Sequence, residues 1–308
     1  MSPRKTKAIP VHPVIISLGT LSIAFALVVP WLPWWKLLWP LALASFVFTS
    51  GALTFLAARH MQLLRHRRQH PVRWKRRHGD TRQVPRQPSQ DYYLMVLGSG
   101  GHTKEMLMMM DDGFCDFEGF HRRYLVSGGD RMSLNHLEDY EADLGQLCDE
   151  EGRSAGSYDV RFVTRARRVH QPLLTTPFTA LASLYDIIFN VLLSSPPQGE
   201  PAATELRYPR MIFSNGPATG FFVALAVHIL KMIYVIPQDR CFFVYIESWA
   251  RISTLSLTGK LFHHTGLADG FAVQHVEVAS IYGVEDAGPM VFNSRRAADD
   301  APSTGQTK

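Results

Sequence analysis

Cysteine is scarce in this sequence, with three in 308 residues. Cys115, Cys148 and Cys241 are far apart, odd in number and form no CxxC pair, which excludes a disulfide framework and a structural zinc site. A reducing, cytosol-facing compartment fits. Acid is nearly missing from residues 1–90, where Asp80 stands against 14 Lys and Arg, a local charge of +13; the remainder carries −8. The basic residues are confined to a region beside an apolar one, and the folded part is acidic, so nucleic acid is not the expected partner. With 46% hydrophobic and 19% charged residues, disordered and fibrous classes are excluded too.

Long apolar runs are present at one end only. Residues 14–35 and 37–58 are uncharged and separated by Lys36, each close to the ~20 residues of a spanning helix. Pro30 and Pro33 break the first near Val29, whereas Pro40 sits in a tolerated first turn, so the second span, 39–58, is the more secure. Trp31, Trp34, Trp35 and Trp39 cluster as an aromatic belt would. Arg4, Lys5 and Lys7 precede the runs and ten Lys or Arg occupy residues 59–86, so the positive-inside rule puts both ends in the cytosol and favours a two-span hairpin. A single span and a cleaved signal peptide are the alternatives. The expected organisation is a membrane anchor over 1–58, a basic juxtamembrane linker over 59–90, a cytosolic domain over 91–292 and a polar tail over 293–308. The linker reads as a stop-transfer signal or as a patch for anionic head groups.

From residue 91 onward, strand-length apolar runs alternate with helical stretches. Strands are expected at 92–97, 122–127, 160–164, 210–213, 242–246 and 271–274, with helices at 102–111, 132–148, 172–193, 218–232 and 255–264. The pattern predicts an α/β fold, a single Rossmann-like doubly wound parallel sheet with ligands at the carboxyl ends of its strands. About 200 residues suffice for one such domain and not for two.

The clearest local signal is Gly98-Ser99-Gly100-Gly101-His102-Thr103, between an apolar strand and a Met-rich helix. Glycines let backbone N–H groups and the positive helix end approach a phosphate. The spacing is neither GxGxxG nor a P-loop, and the next strand ends in Ser127-Gly128-Gly129-Asp130 without a ribose-binding acid. A tight structural turn is the bland reading. Asn215-Gly216-Pro217 follows a later strand, either as a second anion-binding helix start or as a structural turn, and Glu247-Ser248 follows another, with Arg251 near enough to pair with Glu247. His102, at a helix N-terminus, is either a surface residue or a neutral general base. His263 and His264 lack metal-ligand spacing. For the apolar faces of Met106 to Met110 and of 176–193, core packing is the ordinary explanation beside a lipid one.

The stretch from Val96 to Leu107 resembles the signature of the asparagine-linked glycosylation protein fourteen family. Ser214-Asn215-Gly216-Pro217, Tyr245-Ile246-Glu247-Ser248 with Arg251, Thr254 to Leu261, and Ala272-Val273-Gln274 resemble that family's later blocks in the same order. The family is in turn similar to the amino-terminal half of the bacterial glycosyltransferase that completes lipid II. The resemblance implies the acceptor-side half of a split GT-B enzyme, completed by a small soluble UDP-N-acetylglucosamine-binding catalytic subunit as a heterodimer. The pair would add the second N-acetylglucosamine to dolichyl-diphosphate-N-acetylglucosamine at the endoplasmic reticulum membrane and contiguous nuclear envelope, on the cytosolic face. By the same resemblance, Gly98, Gly100, Gly101 and His102 line the acceptor diphosphate and sugar. His102 is the candidate base, and Asn215 and Gly216 close the cleft. Glu247 is a second candidate for positioning or proton transfer, and Ser99, Thr103, Ser248 and Arg251 join the binding residues. No metal and no cofactor are implied. Two apolar stretches stand where one anchor is usual, and the polar tail extends beyond the apolar end through which the family contacts its partner. Two other classes compete: a non-catalytic membrane scaffold, and a membrane-anchored nicotinamide-dependent oxidoreductase, which lacks the third glycine and the ribose-binding acid.

Overall fold

The strand Asp91–Val96 (β1) is apolar on both faces, as a strand covered on both sides must be. Leu94 and Val96 enter one core with Val191, Val223, Val227, Phe243 and Phe262, while Met95 and the following Leu97 enter another with Met106, Leu107, Tyr124 and Leu137. Two layers of helices therefore sandwich the sheet. The computed structural model describes residues 39–72, 91–110, 120–166, 171–172, 174–196, 207–216 and 218–291, together with Thr20, Ile23, Ala24 and Leu27. Most of the first apolar stretch, the tryptophans before Trp39, Cys115, Pro217, residues 73–90 and the polar tail lie outside the described residues.

The remaining strands are Phe120–Ser127 (β2), Ser157–Val163 (β3), Met211–Ser214 (β4), Phe242–Ile246 (β5), Gly270–Val273 (β6) and Glu285–Asp286 (β7). They form one seven-stranded sheet in the order β3-β2-β1-β4-β5-β6-β7, with every pairing parallel. Helices Gly101–Met110 (α2) and Arg131–Glu150 (α3) cover one face; Thr176–Asp186 (α4), Ala218–Met232 (α5) and Leu257–Thr265 (α6) cover the other. The expected doubly wound α/β architecture is thus the one found. The chain reverses its winding direction between β1 and β4, where Val96 pairs with both Leu125 and Ser214. A ligand crevice belongs outside the carboxyl ends of strands at such a point.

Three details depart from the sequence pattern. α4 starts at Thr176 rather than at residue 172, with Pro177 in its first turn, and runs on as a π-helical stretch, Ile187–Leu192. Val276–Tyr282 (α7) and the two-residue β7 are too short for periodicity to reveal them. The apolar stretch 176–193 is core on one side only: Ile187, Val191 and Leu192 are buried in the core, whereas Phe178, Leu181, Tyr185 and Phe189, with Leu174 before them, are exposed, Leu174 by 88%. The methionine helix α2, by contrast, does bury Met106 and Leu107.

The chain divides into two units, Met1–Gln62 and Leu63–Lys308. The helix Trp39–Gln69 (α1), whose residues up to Gln62 belong to the first, has 31 residues and is long and apolar enough to cross a membrane. Its side chains Leu41, Val47, Phe48, Leu53 and Phe55 are exposed, as lipid contact requires. Within the second unit, the last turns of α1 bury Leu63, Leu64 and Arg67. The Arg67 guanidinium donates to Asp269 Oδ1 at 2.8 Å and to His228 Nδ1 at 2.9 Å.

Candidate functional site

The loop after β1 is built around carbonyl and hydroxyl groups rather than bulk. Gly98 is buried, Gly100 adopts φ +60, and α2 begins at Gly101, with its first closing bond from Lys104 N–H to the Gly100 carbonyl at 3.4 Å. The N–H groups before Lys104 therefore stand at an open, partially positive helix end. A Cβ at Gly101 would meet nothing within 4 Å, so the glycine leaves that approach clear. Thr103 anchors the loop from inside: its hydroxyl donates to the Gly98 carbonyl and lies 2.7 Å from Ser133 Oγ. Ser133 in turn lies 2.8 Å from Asp130 Oδ2, and Asp130 caps α3, so the loops after β1 and β2 are one hydrogen-bonded assembly.

His102 is pinned from two sides. Asn215, fully buried at the end of β4, donates from Nδ2 to the His102 carbonyl at 2.7 Å. Gly216, at φ +138, packs its backbone against the imidazole; a Cβ there would lie 2.8 Å from Cε1. The His102 side chain is 39% exposed, but its Nδ1 is buried without a hydrogen bond, leaving Nε2 as the nitrogen able to meet a ligand. Asn215 Oδ1 is likewise buried and unpartnered, an acceptor with unused capacity at the same crevice.

Glu247 occupies a different position from His102. It is 1% exposed at the end of β5 and fully engaged. Oε1 accepts from the Tyr245 hydroxyl and Ser248 N–H, both at 3.2 Å, while Oε2 accepts from Ser256 N–H at 3.0 Å and Ser256 Oγ at 3.1 Å. Burial, then the carboxylate beside it, pushes the Tyr245 phenol far up, so it remains a donor. A Cβ on Gly259 would overlap Glu247 Oε2 at 2.0 Å, so α6 seats directly on this carboxylate. The expected pairing with Arg251 is not found: no ion pair joins them among the described residues, Arg251 is exposed, and neutral donors satisfy Glu247. Ser248 does face the His102 side, donating from Oγ to Glu105 Oε2 at 2.8 Å.

The structure thus brings Gly98, Ser99, Gly100, Gly101, His102, Thr103, Asn215, Gly216 and Ser248 to the ends of β1, β4 and β5, with Glu247 behind them and Arg251 on the outer loop. Two residues in the resemblance blocks were not singled out from sequence. Glu105, one turn after His102, accepts from Ser248 Oγ, Trp249 N–H and, at 2.8 Å, Gln274 Nε2. Gln274 also donates to the Glu247 carbonyl at 3.0 Å. The available signal was an acid on the buried side of a methionine-rich helix. His263 and His264 are exposed, and no group of three His, Cys, Asp or Glu able to hold a metal occurs among the described residues.

Comparison with known proteins gives a concordant picture. The family model described as "Oligosaccharide biosynthesis protein Alg14 like" matches residues 93–287. A Cryptococcus neoformans protein named "UDP-N-acetylglucosamine transferase subunit ALG14" is 33% identical over 200 residues, covering 64% of this chain and 79% of its own length. The same name belongs to a Schizosaccharomyces pombe protein, 32% identical over 64% of this chain and 81% of its own, and to a human one, 30% identical over 59% and 74%. No solved structure matches.

Proposed function

Because the chain belongs to the Alg14-like oligosaccharide biosynthesis family, we propose that it is the membrane-anchored, acceptor-binding subunit of a two-chain UDP-N-acetylglucosamine transferase. The reaction is addition of the second N-acetylglucosamine to dolichyl-diphosphate-N-acetylglucosamine on the cytosolic face of the endoplasmic reticulum. The observation that carries this reading is the crevice at the β1/β4 reversal, where an open helix end suited to a diphosphate adjoins an imidazole whose Nε2 alone is accessible. The names of the relatives support the donor sugar and the word subunit. A single sheet provides one face of a cleft, so a small soluble partner carrying the UDP-sugar supplies the other. The exposed apolar row on α4 and the spanning helix α1 support presentation of a lipid-linked acceptor at a bilayer.

In this reading the diphosphate lies over the N–H groups of Gly100, Gly101 and His102, which places the acceptor sugar beside the imidazole. The acceptor hydroxyl attacks the anomeric carbon of the donor. Its proton passes to His102 Nε2, the new glycosidic bond forms as the bond to UDP breaks, and UDP leaves on the partner's side. Asn215 holds the His102 backbone, and Glu247 acts as a positioning residue that fixes the β5–α6 loop rather than exchanging protons.

The test is transfer of labelled N-acetylglucosamine to a short-chain dolichyl-diphosphate-N-acetylglucosamine by membranes bearing this chain, with and without the soluble partner. Transfer only with both chains is the expected result. Transfer by this chain alone would overturn the two-chain reading. Full transfer by a His102→Ala variant that still binds its partner would reduce the chain to a scaffold.

A further inference from the structure

The geometry points to Glu105 as the positioning residue that sets which nitrogen of His102 is free to take a proton, an inference that rests on the reading of His102 as the base. The two residues face each other across one turn of α2, with Nδ1 and Oε2 3.9 Å apart. That separation is beyond a hydrogen bond but within the range that catalytic pairs close when substrate arrives. Among the described residues no acceptor hydrogen-bonds Nδ1, which is buried. Glu105 itself is 9% exposed and firmly held. Oε1 is filled by Trp249 N–H and Gln274 Nε2, and Oε2 takes Ser248 Oγ only, which leaves lone-pair capacity on the oxygen nearest Nδ1. A carboxylate beside Nδ1 favours the tautomer with its proton there, and Nε2 is then bare where the crevice opens. Two loops, after β5 and β6, converge on this one side chain, so its orientation does not depend on its own helix alone.

Glu105→Gln discriminates this role from a structural one. The Gln Oε1 can keep Trp249 N–H and Gln274, and its amide N–H₂ can donate to Ser248 Oγ, which is able to accept, so the loop contacts survive. The same amide then presents a donor to Nδ1 and favours the opposite tautomer, with the proton on Nε2.

We would follow the ring nitrogens of His102 by ¹⁵N NMR in the ¹⁵N-histidine-labelled full chain in lipid nanodiscs, assigned by loss of signal in His102→Gln. The expected result is a proton on Nδ1 in the parent, on Nε2 in Glu105→Gln, and back on Nδ1 in Glu105→Asp; an identical tautomer in all three would overturn the assignment. In the assembled transferase, Glu105→Gln should lower kcat about tenfold or more with little change in acceptor KM, and should cost nothing further in a His102→Ala background. An equal loss in both backgrounds would mark Glu105 as merely structural and refute the proposal. Absence of transfer by the parent complex would instead remove the proposed reaction, and the NMR arm would still decide whether Glu105 sets the tautomer.

Discussion

The backbone of Gly216 and the imidazole of His102 are packed so closely that a single methyl group on the glycine would reach 2.8 Å from Cε1. The position also has φ +138, a region that side chains other than glycine's rarely adopt. Gly216→Ala therefore either displaces His102 or strains the turn after β4. The cost expected in stability is about 1–3 kcal/mol. A ring displaced by about 1 Å lowers transfer by up to about 100-fold. Chemical unfolding together with a transfer assay on the same preparation checks this; unaltered kcat would show that the ring position does not matter to the reaction.

A second prediction concerns acid stability. Asp159 joins His121 Nε2 at 3.1 Å, and both Arg123 and Arg161 at 2.9 Å. Burial works to raise its pKa, but the hydrogen bonds and charges of His121 and Arg123 outweigh burial and hold it below the ordinary carboxylate range. A carboxyl whose folded pKa lies below its unfolded one stabilises fully above the unfolded value, about 3.9, and progressively less as pH falls below it. Asp159→Asn should lose roughly 3–5 kcal/mol at neutral pH, since Arg123 is left buried without its counter-charge. Urea midpoints measured from pH 7 down to pH 3 should fall less steeply in the variant. Parallel profiles would mean that Asp159 does not govern the acid limb.

What the sequence made legible was local. The glycine loop and the start of α2 follow from neighbouring residues, as do the two-faced apolar strands that give the doubly wound sheet. The environment of Glu247 was not legible, because its main partner, Ser256, is brought back by a loop with no periodic pattern. Glu105 stood in plain view beside His102, yet its partners Ser248, Trp249 and Gln274 lie on other strands' loops and only the folded sheet assembles them. The apolar residues of α4 read equally as core or as surface, since spacing identifies a face and not what covers it.

The latch between Arg67 and Asp269 shows that the last turns of α1 are part of the second unit's own packing. Asp269 accepts from Arg67 Nε and Phe243 N–H, each at 2.8 Å, and Lys231 lies 4.0 Å away. Val72 N–H meets the Asp269 carbonyl at 3.0 Å. Removing Arg67 leaves a buried carboxylate short of its strongest partner, a change that costs about 3–5 kcal/mol. A shortened chain beginning at Asp91 should therefore melt well below one beginning at Leu63, and Arg67→Ala in the longer chain should reproduce most of the difference. Equal melting temperatures for the two shortened chains would show that the last turns of α1 add nothing to the unit.

The row of Leu174, Phe178, Leu181, Tyr185 and Phe189 supplies the last prediction. These side chains are between 51% and 88% exposed and recur every three or four residues along α4 and the segments at its two ends, an apolar edge. The only acid in Thr176–Asp186, Asp186, is turned to the Thr164 N–H at 2.9 Å and Asn190 at 3.2 Å, so no charge interrupts the edge. Burying a Phe or Leu side chain in lipid gains about 1.5–3 kcal/mol each, whereas a carboxylate at the same place opposes insertion. Phe178→Glu with Leu181→Glu should leave the fold intact, because neither side chain is in the core. Transfer to a long-chain dolichyl acceptor in membranes should fall about tenfold, while transfer to a short-chain acceptor in detergent should hold, because that substrate does not need the α4 face to meet a bilayer. Equal losses with both acceptors would place the effect in the chemistry of the site, and no loss with either would detach the α4 row from the membrane.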